Sequence, residues 1–199
     1  MGECKNNLIA DYIFFTKPYA HQHEAFVASC HTSVYALLMD MGTGKTKVVI
    51  DTIAFNFEAE FINFVLVSAP KGVIANWIAE IEKHLPERIP RKIVLWKPSL
   101  TKAKRKELME LYEDSNELKI LLMNVEAFST KKGVDVAEFF VKKFKVMMVV
   151  DESTTIKNRK AKRTKAICAV GRGAVMRRIL TGSPVTKSPM DLFSQMEFL

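Results

Sequence analysis

Residues 37–46, Leu-Leu-Met-Asp-Met-Gly-Thr-Gly-Lys-Thr, constrain this 199-residue chain more than any other stretch. An apolar run enters a turn with two glycines, and a helix-compatible segment follows. Gly42 and Gly44 lack the Cβ that keeps a backbone away from an anion, so successive N–H groups can converge on a phosphate at the head of that helix. In such a cradle Lys45 reaches the β and γ phosphates and the Thr46 hydroxyl ligates Mg²⁺. Met41, Gly42, Thr43, Gly44, Lys45 and Thr46 are therefore the candidate contacts for ATP. Met39 stands where the commoner loop has its first glycine, which favours the shorter GxGKT form over a kinase- or GTPase-like loop.

The remainder of the chain alternates strand-like and helix-like segments. Strands are expected over residues 34–39, 61–68, 92–96, 118–123, 145–150 and 177–180, read as near-continuous apolar runs. Helices are expected over 19–29, 46–57, 73–84, 101–112, 134–144, 161–170 and 189–198, and residues 8–15 read as extended. Val73, Ile74, Trp77, Ile78 and Ile81 recur at helical spacing and predict one buried stripe, with Trp77 as core packing. Apolar strands alternating with helices imply a mainly parallel sheet covered on both faces, an α/β fold of three layers. No internal boundary or repeat interrupts residues 1–199, so one domain is expected.

Composition narrows the context. At 48% apolar residues the chain can fill a core, and its longest apolar runs are strand-sized, far short of a membrane span. No signal-peptide pattern opens it, and Cys4, Cys30 and Cys168 are scattered without a CxxC pair, as suits a reducing cytoplasm. His21, His23 and His31 complete no known metal spacing. The net charge of +8 is unevenly placed: residues 1–70 carry 4 Lys/Arg against 7 Asp/Glu, and residues 71–199 carry 26 against 15. The basic excess therefore follows the glycine loop and suits a polyanionic partner.

A second carboxylate site stands at Val149-Val150-Asp151-Glu152, at the end of an expected buried strand. In a parallel sheet that end opens on the same edge as the glycine loop. Asp151 can hold Mg²⁺ directly or through water, and Glu152 can orient or deprotonate an attacking water. An acidic pair alone could simply cap the next helix. Together with GxGKT it points to nucleotide chemistry, with Lys45, Asp151 and Glu152 as the candidate catalytic residues.

Six segments in order resemble the motifs of superfamily-two helicases and translocases, most closely the Swi/Snf-type DNA-dependent ATPases. They are Pro18-Tyr19-Ala20-His21-Gln22, the loop at 39–46, Ser68-Ala69-Pro70-Lys71 with Asn76-Trp77, Asn124-Val125-Glu126-Ala127-Phe128, Asp151-Glu152-Ser153-Thr154 with Ile156-Lys157-Asn158, and Leu180-Thr181-Gly182-Ser183-Pro184. The resemblance spans residues 18–199 and implies a RecA-like P-loop NTPase lobe that binds ATP and Mg²⁺. It implies that Gln22 reads the adenine edge, a task for which an amide can donate and accept at once. It implies that Lys71 and, further along, Asn124 contact a nucleic-acid backbone, and that Thr181 and Ser183 couple nucleotide state to that grip. Similarity to this branch favours double-stranded DNA.

Ser153-Thr154 depart from the Ala-His or Ala-Asp that the resemblance leads one to expect after the acidic pair. The last residue of that box ordinarily bonds to the Thr-Gly-Ser segment, so here the coupling role falls to Thr154 through a shorter hydrogen bond, or Thr154 is merely tolerated. The run from Lys157 to Lys165 holds Lys157, Arg159, Lys160, Lys162, Arg163 and Lys165. It reads either as a phosphate track, with salt-dependent binding, or as a solvated helix face. The resemblance also implies a second RecA-like lobe bearing arginine fingers, supplied in cis beyond Leu199 or by another chain, because nothing similar to it lies within residues 1–199. Three readings follow: the ATP-binding lobe of a Swi/Snf-like motor, a nucleotide-gated module that binds DNA or protein without motor activity, or the motor lobe of a restriction endonuclease.

Overall fold

The apolar runs become six strands, and every pairing between them is parallel. The computed structural model describes residues 12–99 and 101–199. In chain order it gives α1 (Ala20–Ser29), β1 (Val34–Leu38), α2 (Lys45–Glu58), β2 (Phe64–Ala69), α3 (Ile74–His84), β3 (Arg91–Leu95), α4 (Lys102–Glu110), β4 (Leu118–Asn124), α5 (Lys131–Lys143), β5 (Val146–Asp151), α6 (Lys162–Gly171), β6 (Met176–Thr181) and α7 (Phe193–Phe198). Short 3₁₀ turns occupy Val125–Ser129, Ser153–Ile156 and Pro189–Leu192. The strand order is β1-β6-β5-β2-β4-β3.

Side-chain alternation divides the core. Val65, Val67 and Ala69 of β2 face a cluster with Phe26 of α1, Val48 to Phe55 of α2 and Trp77 of α3, while Phe64 and Leu66 face a second cluster with residues of α4 to α7. Period-2 strands covered by helices on both faces produce the expected three layers.

Several expectations shift at their edges. Residues 8–11 lie outside the described part, and residues 12–19 form no strand, because Tyr12 and Phe14 pack instead as rings against Phe26, with centroids 5.3 and 5.0 Å away. Helix α5 begins three residues earlier than the apolar spacing suggests. The Thr130 hydroxyl caps it, accepting from the Gly133 N–H at 3.2 Å. The expected helix over 189–198 is a 3₁₀ turn opened by Pro189 and then α7. On α3 the stripe is narrower than predicted, since Ile78 is 36% exposed while Trp77 and Ile81 are buried.

Arg178 of β6 is wholly buried, yet among the described residues no carboxylate pairs with it. Its guanidinium donates to the carbonyls of Ser29, Thr32 and Arg177, each at 2.8 Å, and to that of Ser33 at 3.3 Å. It thereby adds a charged donor to the carbonyl that ends α1 and to those of Thr32 and Ser33 just after it, and so ties the end of α1 to the sheet. Burial pushes its pKa down to about 10.

Candidate functional site

The C-terminal ends of β1, β6 and β5 lie side by side, so three loops far apart in sequence meet on one edge. The register pairs Leu38 with Thr181 and Asp151 with Leu180. The glycine loop leaves β1, the Thr181-Gly182-Ser183 turn leaves β6, and Asp151 closes β5. Gly182 sits directly against the loop, where an added Cβ would come within 3.3 Å of both the backbone nitrogen and Cγ of Met41.

The loop itself has the geometry a phosphate cradle requires. Gly42 and Gly44 both take φ of +79°, the left-handed region that side chains disfavour. Gly44 has a second constraint, because a Cβ there would lie 2.3 Å from Gln22 Nε2. Gly44 then serves as the N-cap of α2, whose first residues are Lys45 and Thr46. The Lys45 ammonium donates to the carbonyls of Met39 and Asp40, each at 2.9 Å, and the Thr43 hydroxyl donates to Asp40 O at 2.8 Å. Among the described residues the Thr46 hydroxyl makes no hydrogen bond, whereas Met41 is 81% exposed at the rim.

Gln22 is 5% exposed and holds this loop. Its Nε2 donates to the Thr43 carbonyl at 3.0 Å, and its Oε1 accepts from the Tyr19 N–H at 3.0 Å. His21 Nε2 also donates to Thr43 O, at 2.9 Å, so that nitrogen carries the ring proton. A cleft of about 630 Å³ opens beside these groups, lined by Tyr19, Gln22, Gly42, Gly44, Lys47 and His84 among others. That volume lies within the range of small-molecule sites. At its wall Lys47 and Asp51 form a buried ion pair of 2.6 Å, and burial pushes the Asp51 carboxyl up.

Asp151 is held from two sides. The Trp77 indole N–H donates to Oδ2 at 2.8 Å, and the Glu152 N–H donates to Oδ1 at 2.9 Å. Burial raises the Asp151 pKa, opposed by these two donors and by the positive charge of Lys45. Trp77 is the core residue that its spacing suggests, and it also orients the acidic box. That second role was not readable from the chain, since its partner lies 74 residues away.

Glu152 adopts φ of 49° and ψ of 61°, a left-handed conformation in a residue with a full side chain. Thr181 Oγ1 accepts from the Ser183 N–H at 3.2 Å, which joins the two residues of that turn. The Thr154 hydroxyl makes no hydrogen bond to either of them among the described residues. It is Ser153 that reaches across, donating to Gln195 Oε1 at 2.5 Å.

The candidates for a nucleic-acid backbone fall on the same edge, beyond Asp151. Ser68 pairs with Val150 and Ala69 with Asn124, so Lys71 leaves the end of β2 while Asn124 ends β4. Lys71 is exposed. Asn124 Oδ1 accepts from the Ala127 N–H at 2.8 Å, which caps the following 3₁₀ turn, and among the described residues the amide NH₂ makes no hydrogen bond. Lys157 donates to Thr186 Oγ1 at 2.6 Å, and the Arg159 guanidinium lies 4.5 Å from the centre of the Phe193 ring. These two are thus gathered with the 184–193 segment and not with Lys71.

A glycine cradle on the first strand, with an acid two strands away on the same edge of a parallel sheet, defines a RecA-like P-loop NTPase lobe. Residues 19–199 match the SNF2-related domain, and the chain belongs to that family of helicase-type ATPases. It is 26% identical over 204 residues to the DNA excision repair protein ERCC-6-like of Mus musculus, across 98% of this chain and 16% of that protein. The probable ATP-dependent DNA helicase CHR12 of Arabidopsis thaliana is 28% identical over 80% of this chain and 14% of its own length. The chain thus spans about one sixth of such relatives. Among solved structures, the Sulfolobus solfataricus SWI2/SNF2 ATPase core in complex with dsDNA shares the fold with a TM-score of 0.72 and 23% identity, over 94% of this chain and 36% of that one. The UvsW helicase from bacteriophage T4 gives 0.68 and 12%, over 97% and 63%. Among the described residues no helix is long and apolar enough to cross a membrane.

Proposed function

We propose that this chain is the Mg-ATP-binding lobe of a Swi/Snf-like DNA-dependent ATPase and that it carries part of the nucleic-acid track. The observation that supports this reading best is the shared edge. The strand order β1-β6-β5-β2-β4 sets the cradle, the Thr181–Ser183 turn, the acidic box and the Lys71 and Asn124 ends in one row. A triphosphate at one end and a polyanion at the other would then meet across Asp151 and Glu152.

The residues fit the cofactor. Thr46 offers a hydroxyl with no hydrogen bond among the described residues, and Asp151 offers carboxylate oxygens with lone pairs left over, both hard donors suited to Mg²⁺. Bound there, Mg²⁺ would neutralise charge on the phosphates. The chain would supply the rest: the amides at 42–46 and Lys45 to bind phosphate, Trp77 to fix the Asp151 carboxylate, and Glu152 to orient or deprotonate the water. Gln22 both shapes the loop and keeps a lone pair and an N–H for the base. Lys71 at the head of α3 and the free amide of Asn124 suit phosphates of double-stranded DNA. Hydrolysis at a useful rate would need the arginine-bearing second lobe, in cis or in trans, since such a residue contributes roughly 10³ to 10⁵ in rate at phosphoryl-transfer sites.

Titration with a fluorescent ATP analogue tests the reading. Saturable binding, competed by ATP and weakened when EDTA removes Mg²⁺, is the expected result. An absence of saturable binding in Mg²⁺ would contradict it.

A further inference from the structure

We propose that Gln195 is a positioning residue that locks the Glu152 turn to the segment after Thr181, taking the coupling task through Ser153 and Pro184. The inference rests on the ATP-binding reading given above. Gln195 and Ser153 are both wholly buried. Gln195 Nε2 donates to the Pro184 carbonyl and to the Asp191 carbonyl of the preceding 3₁₀ turn, each at 2.8 Å. Two carbonyl acceptors fix which end of the amide is nitrogen, so Oε1 is left to accept from Ser153 Oγ at 2.5 Å. Every strong bonding position of the amide except one lone pair is thereby used, in a site closed to water.

The placement gives this strut its function. Ser153 directly follows Glu152, whose φ of 49° is a strained conformation for a residue with a side chain and persists only where its surroundings impose it. The Glu152 N–H is tied to Asp151 on one side, and Ser153 is tied to Gln195 on the other. A movement of the acidic box, as its carboxylates respond to the nucleotide, therefore displaces Gln195 and with it Pro184. The same segment has a second, more exposed tie. Lys157 donates to Thr186 Oγ1, and Thr186 and Lys187 donate in turn to Asp191 Oδ2 at 2.8 to 3.0 Å. Thr154, the residue whose position suggests the coupling bond, contributes no side-chain bond to either route. A buried amide bonded through both N–H groups and its oxygen transmits displacement where a solvated contact would slip.

Hydrogen exchange of the full chain with and without Mg-ATP tests this, comparing the unaltered protein with Ser153→Ala, Gln195→Met and Gln195→Glu. Ser153→Ala cuts the link to the acidic box but keeps both bonds from Gln195 to the 184–191 segment. Gln195→Met cuts both links at nearly constant volume, and Gln195→Glu keeps an acceptor for Ser153 but loses the donors for Pro184. In the unaltered chain nucleotide should protect amides at 42–46 and also those of Ser183, Thr186 and Lys187. In Ser153→Ala the protection at 42–46 should persist, the protection without nucleotide at 183–187 should be unchanged, and the nucleotide-dependent part at 183–187 should be lost. Both Gln195 variants should lose that part too. Undiminished nucleotide-dependent protection at 183–187 in Ser153→Ala would overturn the proposal while leaving the ATP-binding reading intact. No nucleotide-dependent protection at 42–46 in the unaltered chain would overturn that reading and this inference with it.

Discussion

Lys45→Ala is expected to weaken Mg-ATP binding by roughly 100-fold, with the fold unchanged. The ammonium now donates to Met39 O and Asp40 O, two carbonyls of the loop proposed to cradle phosphate. Moving onto a triphosphate exchanges neutral acceptors for charged ones, and hydrogen bonds to charged groups are each worth roughly 1.5–3 kcal/mol. The exchange offsets part of the gain, which leaves about 2.7 kcal/mol, or two decades in dissociation constant. Removing the ammonium from a partly exposed position frees carbonyls that water can reach, so stability should hold. The fluorescent nucleotide titration, paired with urea unfolding of the variant, gives both numbers. A loss of less than about threefold would mean that Lys45 stays on its loop carbonyls and does not engage phosphate.

The largest effect on stability is expected at a residue with no part in the chemistry. Arg178→Met keeps most of the volume but removes the guanidinium donors to the carbonyls of Ser29, Thr32, Ser33 and Arg177, leaving Ser29 O with Thr32 N and Oγ1 and Ser33 O with Arg177 N. Four carbonyls, three of them at or just after the end of α1, would lose a charged partner around a side chain that is wholly buried. The guanidinium itself is costly to bury, as its lowered pKa shows, and its removal returns part of that cost. We expect a net loss of roughly 3 kcal/mol, a large share of the 5–15 kcal/mol typical of a domain. Urea unfolding at unchanged m value measures it. Because α1 carries Gln22, which holds the Thr43 carbonyl, nucleotide affinity should fall in parallel as α1 loosens. A variant as stable as the parent would show that the apolar site prefers a neutral side chain and that α1 is anchored by its packing alone.

How much of this the chain discloses depends on the distance between partners. The glycine loop is local: Gly42, Gly44, Lys45 and Thr46 carry their geometry within a few residues, and the left-handed φ at both glycines follows from the sequence pattern. The strands are legible because buried parallel strands are apolar on both faces. The edge position of Asp151 is legible because a strand end in such a sheet opens where the loop opens. Contacts between distant segments are not. Trp77 reads as one more apolar position on α3, and nothing in its spacing reveals a carboxylate on β5. Arg178 reads as one of two adjacent arginines on a strand, though only one of them is buried, because the strand alternates and Arg178 meets the end of α1. The same holds for Gln195, which looks like a polar residue in a short helix until Ser153 and Pro184 converge on it. Ser153 stood out as a departure from a family pattern, but which of Ser153 and Thr154 faces the neighbouring turn is decided by the left-handed Glu152, which no local propensity would place there.

The most direct test of the account is steady-state ATP hydrolysis by this chain, with and without double-stranded DNA, against Lys45→Ala as the blank. Bound nucleotide with no turnover above that blank is the predicted result, because on the proposed reading an arginine from a second lobe completes the site. DNA-stimulated turnover that disappears in Lys45→Ala would contradict it, by showing that this lobe assembles a working site without a second one.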